Sequence, residues 1–275
     1  PGEVRFLGKG LVYVFVIVMA ALTLFPFLYM LSSSLMTYQE VTSIPPTIVP
    51  HVPQWHNFVE AMRQAPFPRY FLNTVLVSGL STLGTLITTV LAAFALVRLR
   101  FRFKKALMMG MMALLMVPYE VVVFTNYRTI NQLGLLDTYW ALILPSLASV
   151  FYIFYLQQYL SSMPAAYYNA AKVDGCGDLE FIWKVMIPMS RPALFTMALL
   201  LFIGGWNSFL WPILVTNSTD MRLISNGLSA FATETGTAVQ LQMAASTATI
   251  VPILVLYFIF HKQIIEGVSS NGIKG

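Results

Sequence analysis

The chain has 275 residues, 57% of them hydrophobic and 10% charged, where soluble domains carry about 25% charged residues. That deficit excludes an ordinary soluble domain and marks an integral membrane protein. The net charge of +5 does not signal a nucleic-acid partner, because the basic residues sit in short clusters between apolar runs, and the single cysteine, Cys176, excludes an internal disulfide.

Residues 1–9 are short and basic, with Arg5 and Lys9, and 10–39 hold no charged residue. A first span is predicted at 11–31, long enough for the roughly 20 residues a crossing needs. It exceeds the ~7–15-residue core of a secretory signal, so it reads as uncleaved. The external segment 36–69 contains Pro45, Pro46, Pro50, Pro53, Pro66 and Pro68, which prevent long helices and leave room for a short one at 57–62. His51 and His56 lack a third ligand at useful spacing and read as surface histidines.

The second span, 70–97, is rich in small residues (Ser78, Gly79, Ser81, Gly84, Thr85, Thr88) that let membrane helices approach closely. Arg98, Arg100, Arg102, Lys104 and Lys105 follow and mark an inner loop. The third span, 106–127, opens with methionines read as packing residues and then carries Pro118 and Glu120. On a straight helix Glu120 lies about 22 Å from Lys105, near the outer boundary. Three readings stand for it: recognition of sugar hydroxyls, pairing with a neighbour, or a place in the headgroup zone. The fourth span, 138–160, has Tyr139 and Trp140 at its end and Tyr152 and Tyr155 in its body, where they can face a wet pathway.

The polar interruption at 162–192 reads as two short helices around a bend. Ser162 is expected to cap the first helix, with Pro164 in its first turn. Gly175-Cys176-Gly177 suits a bend needing positive φ, and Asp178 is expected to cap the second helix. Leu179, Ile182, Trp183 and Met186 recur at helical spacing and predict one apolar face. A helix-bend-helix of this kind suits docking to a soluble partner.

The fifth span, 193–215, contains Gly204-Gly205-Trp206-Asn207-Ser208. Paired glycines weaken a helix, and broken helices mark sites in transporters. Trp206 offers a face on which a sugar can stack and Asn207 can bond hydroxyls, so both are expected on the substrate path; a tight helix crossing, with Asn207 as an interhelical hydrogen bond, is the competing reading. The polar external segment 216–238 precedes the sixth span, 239–260, whose Gln240, Gln242, Ser246 and Thr249 suit the lining of a path. The chain is thus organised as an amino-terminal tail, span and external segment (1–69), a transmembrane core (70–262) holding the loop 161–192, and a tail (263–275).

With the amino terminus inside, the outer segments hold Arg63, Arg69, Arg128 and Arg222, and every other Lys and Arg falls on inner segments. This orientation puts both termini and the 162–192 loop in the cytoplasm. No phosphate-binding G-x-x-x-x-G-K-[ST] motif is present, since Gly8-Lys9 is followed by Gly10. No nucleophile–base pair or metal-ligand cluster is evident, so the chain reads as a non-enzyme that binds no cofactor or metal itself. Its energy must come from an ion gradient or another subunit.

The loop also resembles a family motif, the coupling loop of permease subunits in bacterial binding-protein-dependent ABC importers. That pattern is Glu-Ala-Ala, three residues, Gly, nine residues, then Ile-x-Leu-Pro. Asn169-Ala170-Ala171, Gly175, and Val185, Ile187 and Pro188 stand at its positions, with Asn169 in place of the usual Glu. The segments 69–74, 138–145 and 205–207 look like the carbohydrate branch, of maltose-permease-G type. The resemblance implies an all-α type I ABC importer permease fold with six transmembrane helices in the bacterial plasma membrane. It implies a second related permease, two ABC ATPase subunits that carry ATP and Mg, and an extracellular or periplasmic sugar-binding protein. It assigns ATPase coupling to the loop, through Tyr167, Tyr168, Asn169, Ala170, Ala171, Asp174, Gly175, Leu179, Ile182, Trp183 and Pro188, and ATPase contact to Lys274 and Gly275 of the tail. The residues expected on the substrate path are Glu120, Tyr152, Tyr155, Trp206, Asn207 and Gln242. The alternative is an ion-coupled secondary sugar carrier or channel without an ATPase.

Overall fold

The computed structural model of the chain describes residues 2–233 and 236–269. It is all-α apart from a two-residue antiparallel ladder pairing Ala232–Thr233 with Gly236–Thr237. Three helices are long and apolar enough to cross a membrane: 10–34, 67–98 and 239–262. Among the described residues three bent helix pairs also pass that test, giving up to six spans if each pair is one crossing. The chain divides into two compact units, 1–67 with 227–255 and 68–226 with 256–275.

In the first unit, α1 (Gly2–Ser34) is exposed along its apolar length. The proline-rich segment after it allows only α2 (Tyr38–Val41) and α3 (His56–Gln64). Glu40 organises this stretch. Its carboxylate closes a capping box with Thr37 and accepts from His51 N at 3.0 Å, with His51 Nδ1 at 2.7 Å. Those hydrogen bonds, led by the Thr37 backbone N–H, hold its pKa at about 2. Buried Asn57 then pins α3 by donating to Ser34 O and Met36 O. Phe67 stacks on Phe231 with ring centroids 5.9 Å apart.

The second unit is built along α4 (Phe67–Arg98). Near one end of α4, Val77 joins a core with Val123, Leu142, Trp211 and Leu223; near the other, Val90, Ala93 and Phe94 join Leu156, Leu160, Phe181 and Ile182. The third crossing is not straight. α5 (Lys104–Leu114) and α6 (Tyr119–Gln132) meet at 102°. Pro118 lacks an N–H and sits extended as the N-cap of α6, so the helix restarts there in a new direction. Glu120 therefore lies in the first turn of α6 and not on a continuation of Lys105.

The fourth crossing, α7 (Tyr139–Ile143) and α8 (Val150–Ser161), bends by 42° around a 3₁₀ turn containing Pro145. After it come α9 (Ala166–Val173), α10 (Asp178–Phe181) and α11 (Ile187–Met189), then α12 (Arg191–Trp206) at 84° to the segment before it. Gly204 and Gly205 stay helical to the end of α12, and a non-helical break at 207–209 separates it from α13 (Leu210–Val215). The short α14 (Ile224–Gly227) precedes α15 (Val239–Ser269), the last crossing.

Hydrogen bonds lock the end of the second unit around Asn73 and Asp137. Asn73 donates to Asp220 O and Arg222 O and accepts from Tyr139 OH; Thr74 Oγ1 accepts from Ile224 N. Asp137, at φ 59°, accepts from the N–H groups of Asn217 and Ser218 and from Ser218 Oγ. Asn73 and Thr74 belong to the 69–74 segment singled out by resemblance, and Tyr139 to 138–145. Their side chains stitch α4 and α7 to the 217–226 loop.

Candidate functional site

The bend begins where α9 ends. Gly175 adopts φ +77°, a conformation that costs a side-chain-bearing residue about 1–2 kcal/mol. Its N–H donates to Lys172 O, and Cys176 N donates to Ala171 O at 2.9 Å, closing the helix end. The expected caps are displaced. Ser162 ends α8 and does not begin α9, whose N-cap is Ala165. The N-cap of α10 is Gly177, and Asp178 stands inside the first turn.

Asp178 has a different use from the expected cap. Its Oδ1 lies 2.6 Å from Lys172 Nζ and accepts from Tyr168 OH at 2.8 Å, joining α10 back to α9 across the bend. Lys172 also lies 5.4 Å from the Tyr168 ring centroid. The Lys172 contact, then the Tyr168 hydroxyl, hold the Asp178 carboxyl below the usual carboxylate range, and Asp178 raises the Lys172 ammonium. Tyr168 packs edge-on to Phe94 and Phe181, which anchors this brace to the core. The same burial, seconded by Asp178, raises the Tyr168 phenol above its ordinary pKa.

The predicted single apolar face is split in two. After α10 the backbone takes a π-helical turn over Ile182–Met186, closed by Ile187 N donating to Ile182 O. The wider turn rotates the later residues. Phe181, Ile182 and Met186 face the core at 3% exposure each, while Leu179 and Trp183 face outward at 66% and 69%. Val173 and Tyr167 are exposed on α9, as are Asn169, Ala170 and Asp174; Ala171 and Pro188 are half-buried. One side of the bend is therefore locked into the protein and the other leaves apolar side chains exposed. Lys274 and Gly275 lie outside the described residues.

Beside the core around Val77, Leu142 and Trp211 lies a half-open cavity of about 340 Å³. α4 contributes Ser81, Thr82 and Thr85, α6 contributes Tyr119 and Asn126, and α8 contributes Tyr152. Gly204 and Gly205 form part of the opposite wall, with Ser208 and Trp211 beyond the helix break. Gly205 is needed for close packing, since a Cβ there would stand 3.0 Å from Ser78 Oγ and 3.3 Å from Ser78 Cα.

Of the residues expected on a substrate path, Tyr152 lines this cavity. Trp206 does not, being 3% exposed and packed between Phe71 and Phe202. Asn207 caps the end of α12 and is exposed, Tyr155 packs in the core beside the bend, and Glu120 is exposed away from the cavity wall. Gln242 is half-buried in the first unit. The wall residues of α4 and α6 escaped sequence reading because hydroxyls on a span read first as packing. Ser208, beside the paired glycines, carried the clearest available signal.

The sequence matches the family described as "Binding-protein-dependent transport system inner membrane component" over residues 84–269. It is 29% identical over 259 residues to the arabinooligosaccharides transport system permease protein AraQ of Halalkalibacterium halodurans, covering 93% of each chain. Identity to the sulfoquinovosyl glycerol transport system permease protein SmoH of Agrobacterium fabrum is 30%, over 98% of this chain and 95% of that protein. Among solved structures, a chain of a bacterial ABC transporter involved in the import of the acidic polysaccharide alginate matches with a TM-score of 0.82 at 24% identity, covering 94% of this chain and 96% of that one. At that identity the likeness establishes the fold.

Proposed function

The chain belongs to the family of binding-protein-dependent transport system inner membrane components, and on that premise we propose that it is a permease subunit of an ATP-driven importer for an oligosaccharide, coupled to a separate ATPase by the bend at Gly175. The observation that carries this reading is the two-sided bend. Phe181, Ile182 and Met186 are fixed in the transmembrane core while Leu179 and Trp183 stand out from it. A push on the outer pair is transmitted to α4 and α8 through the packed inner residues, which deform little. An apolar pair exposed on a rigid helix-bend-helix fits a cleft on a soluble subunit.

The chain forms half of the path, a second related permease the other half, and a sugar-binding protein delivers cargo from outside. ATP and Mg belong to two partner ATPases. Both termini and the bend lie in the cytoplasm, an orientation supported by the basic run at 98–105. An oligosaccharide cargo is supported by the likeness to a permease named for arabinooligosaccharides. An ion-coupled carrier would place ionisable groups in its path. The cavity wall carries none of Asp, Glu, Lys, Arg or His among the described residues, and Glu120 points elsewhere.

The test is affinity purification of the tagged chain from native membranes in two mild detergents, with partners identified by mass spectrometry. Recovery of an ABC ATPase, a second permease and a sugar-binding protein is expected. Recovery of the chain alone, with the ATPase present in the same membranes, refutes the coupling.

A further inference from the structure

We infer that the basic connection at 98–105 is a binding site for an anionic phospholipid, an inference that goes beyond the importer reading and does not depend on it. Arg98, Arg100, Arg102, Lys104 and Lys105 crowd this short stretch, and no Asp or Glu occurs anywhere from 61 to 119. Among the described residues, none of these cations is in an ion pair. Two of them are turned inward. Arg98 donates to Met163 O at 3.3 Å, and Lys104 Nζ lies 3.5 Å from both Val97 O and Leu99 O, where it helps satisfy the carbonyl end of α4. The others, Arg100, Arg102 and Lys105, are exposed and make no hydrogen bond to any described residue. Unpaired charge of one sign at this density attracts an anionic partner.

The apolar residues around the cations select which anion. The run alternates Arg98-Leu99-Arg100-Phe101-Arg102-Phe103, and Leu99, Phe101 and Phe103 are 36%, 42% and 71% exposed. It joins the end of α4 to the start of α5, and both helices belong to candidate crossings. The cations therefore stand at the bilayer surface, and a connection over 99–103 is too short to carry them far from it. Beside them lies a narrow apolar crevice lined by Leu96 of α4, Met108 and Met112 of α5 and Phe154 of α8. Leu96 and Met108 are within one helical turn, along the chain, of Arg98 and Lys105. Further along α5, Met109 and Met112 are 71% and 50% exposed. Guanidinium groups hold a phosphate through paired hydrogen bonds, and flexible methionines adapt to an acyl chain. A ligand that meets both features carries a phosphate headgroup with no compensating cation and an apolar tail. A soluble anion would use the arginines and leave the crevice idle. An acidic protein surface would meet the cations but not the methionines.

The full chain in mild detergent is titrated with phosphatidylglycerol and with phosphatidylcholine of the same acyl chains, and bound lipid is counted by native mass spectrometry. The Kd for phosphatidylglycerol is expected to be about tenfold lower. Arg100→Gln with Arg102→Gln and Lys105→Gln is expected to bring the two lipids to equal affinity. Arg63→Gln with Arg128→Gln, which removes exposed cations elsewhere, is expected to leave the preference intact. In the unsubstituted chain, phosphatidylglycerol with a photoactivatable acyl chain is expected to label peptides within 96–116. Soluble glycerol phosphate at the same concentration is expected not to displace the lipid. Equal affinity for the two lipids, a preference unmoved by the triple variant, or adducts only outside 96–116 overturns the inference. Displacement by glycerol phosphate makes this a soluble-anion site and overturns it too. So does a triple variant that keeps its lipid preference and loses a protein partner on purification, since the cations then serve an acidic protein surface.

Discussion

At the scale of single residues, two glycines answer different demands. Gly175 needs backbone freedom and not space, since its φ is +77° and a Cβ there would meet nothing within 4 Å. Gly175→Asn is expected to keep most transport and Gly175→Val to lose it, because Asn visits the left-handed region far more readily than a β-branched residue. Transport per permease in the membrane is the measurement. Gly205 needs space instead. Gly205→Val drives a side chain into Ser78 and is expected to cut the yield of folded protein severalfold in detergent, whereas Gly204→Ala meets nothing within 4 Å and is expected to leave it unchanged. The Lys172–Asp178 pair gives a signed pH dependence. Asp178 titrates below its ordinary 3.8, so its contribution is full above that pH and is lost as pH falls through the lowered value. Lys172 titrates above its ordinary 10.5, so its contribution is full below that pH and is lost as pH rises through the raised value. Protease resistance of the bend is expected to stay level between those limits and to fall outside them; in Asp178→Asn the whole profile lies lower.

At the scale of elements, the π-turn at Ile182–Met186 separates two jobs that one ordinary helical face cannot perform. Ile182→Ala is expected to destabilise the packed bend by about 2–5 kcal/mol, seen as faster proteolysis at 173–183. Leu179→Ala with Trp183→Ala is expected to leave proteolysis and expression unchanged while ATPase recovery in the purification drops at least tenfold. Sequence reading reached much of this. The motif spacing around Asn169-Ala170-Ala171 and Gly175 located the bend, and Gly175-Cys176-Gly177 located its positive φ. The split face was out of reach, because Leu179, Ile182, Trp183 and Met186 obey ordinary helical spacing and nothing in their identity announces a wider turn. The caps were missed because good capping residues found other uses: Asp178 is held by Lys172 and Tyr168, and Ser162 Oγ donates back to Tyr159 O at the end of α8.

At the scale of the whole molecule, uninterrupted apolar runs made the crossings legible, three as single helices and up to three more as bent pairs, and proline positions marked where they bend. Pro118 was visible in the sequence; the 102° change of direction it accompanies was not. The cavity was the least legible feature, since its wall draws single residues from α4, α6 and α8 and from both sides of the 207–209 break. Trp206, the natural sugar platform by composition, is consumed by packing against Phe71 and Phe202, and Trp211 takes the wall position. The central claim is that the outer side of the bend is the contact with an ATPase. A photo-cross-linking residue at position 183, with one at exposed Met109 as the comparison, tests it most directly in native membranes. The account predicts an adduct from 183 whose partner peptides come from an ABC ATPase, and none from 109. A transport-competent variant that forms no ATPase adduct from 183 contradicts it.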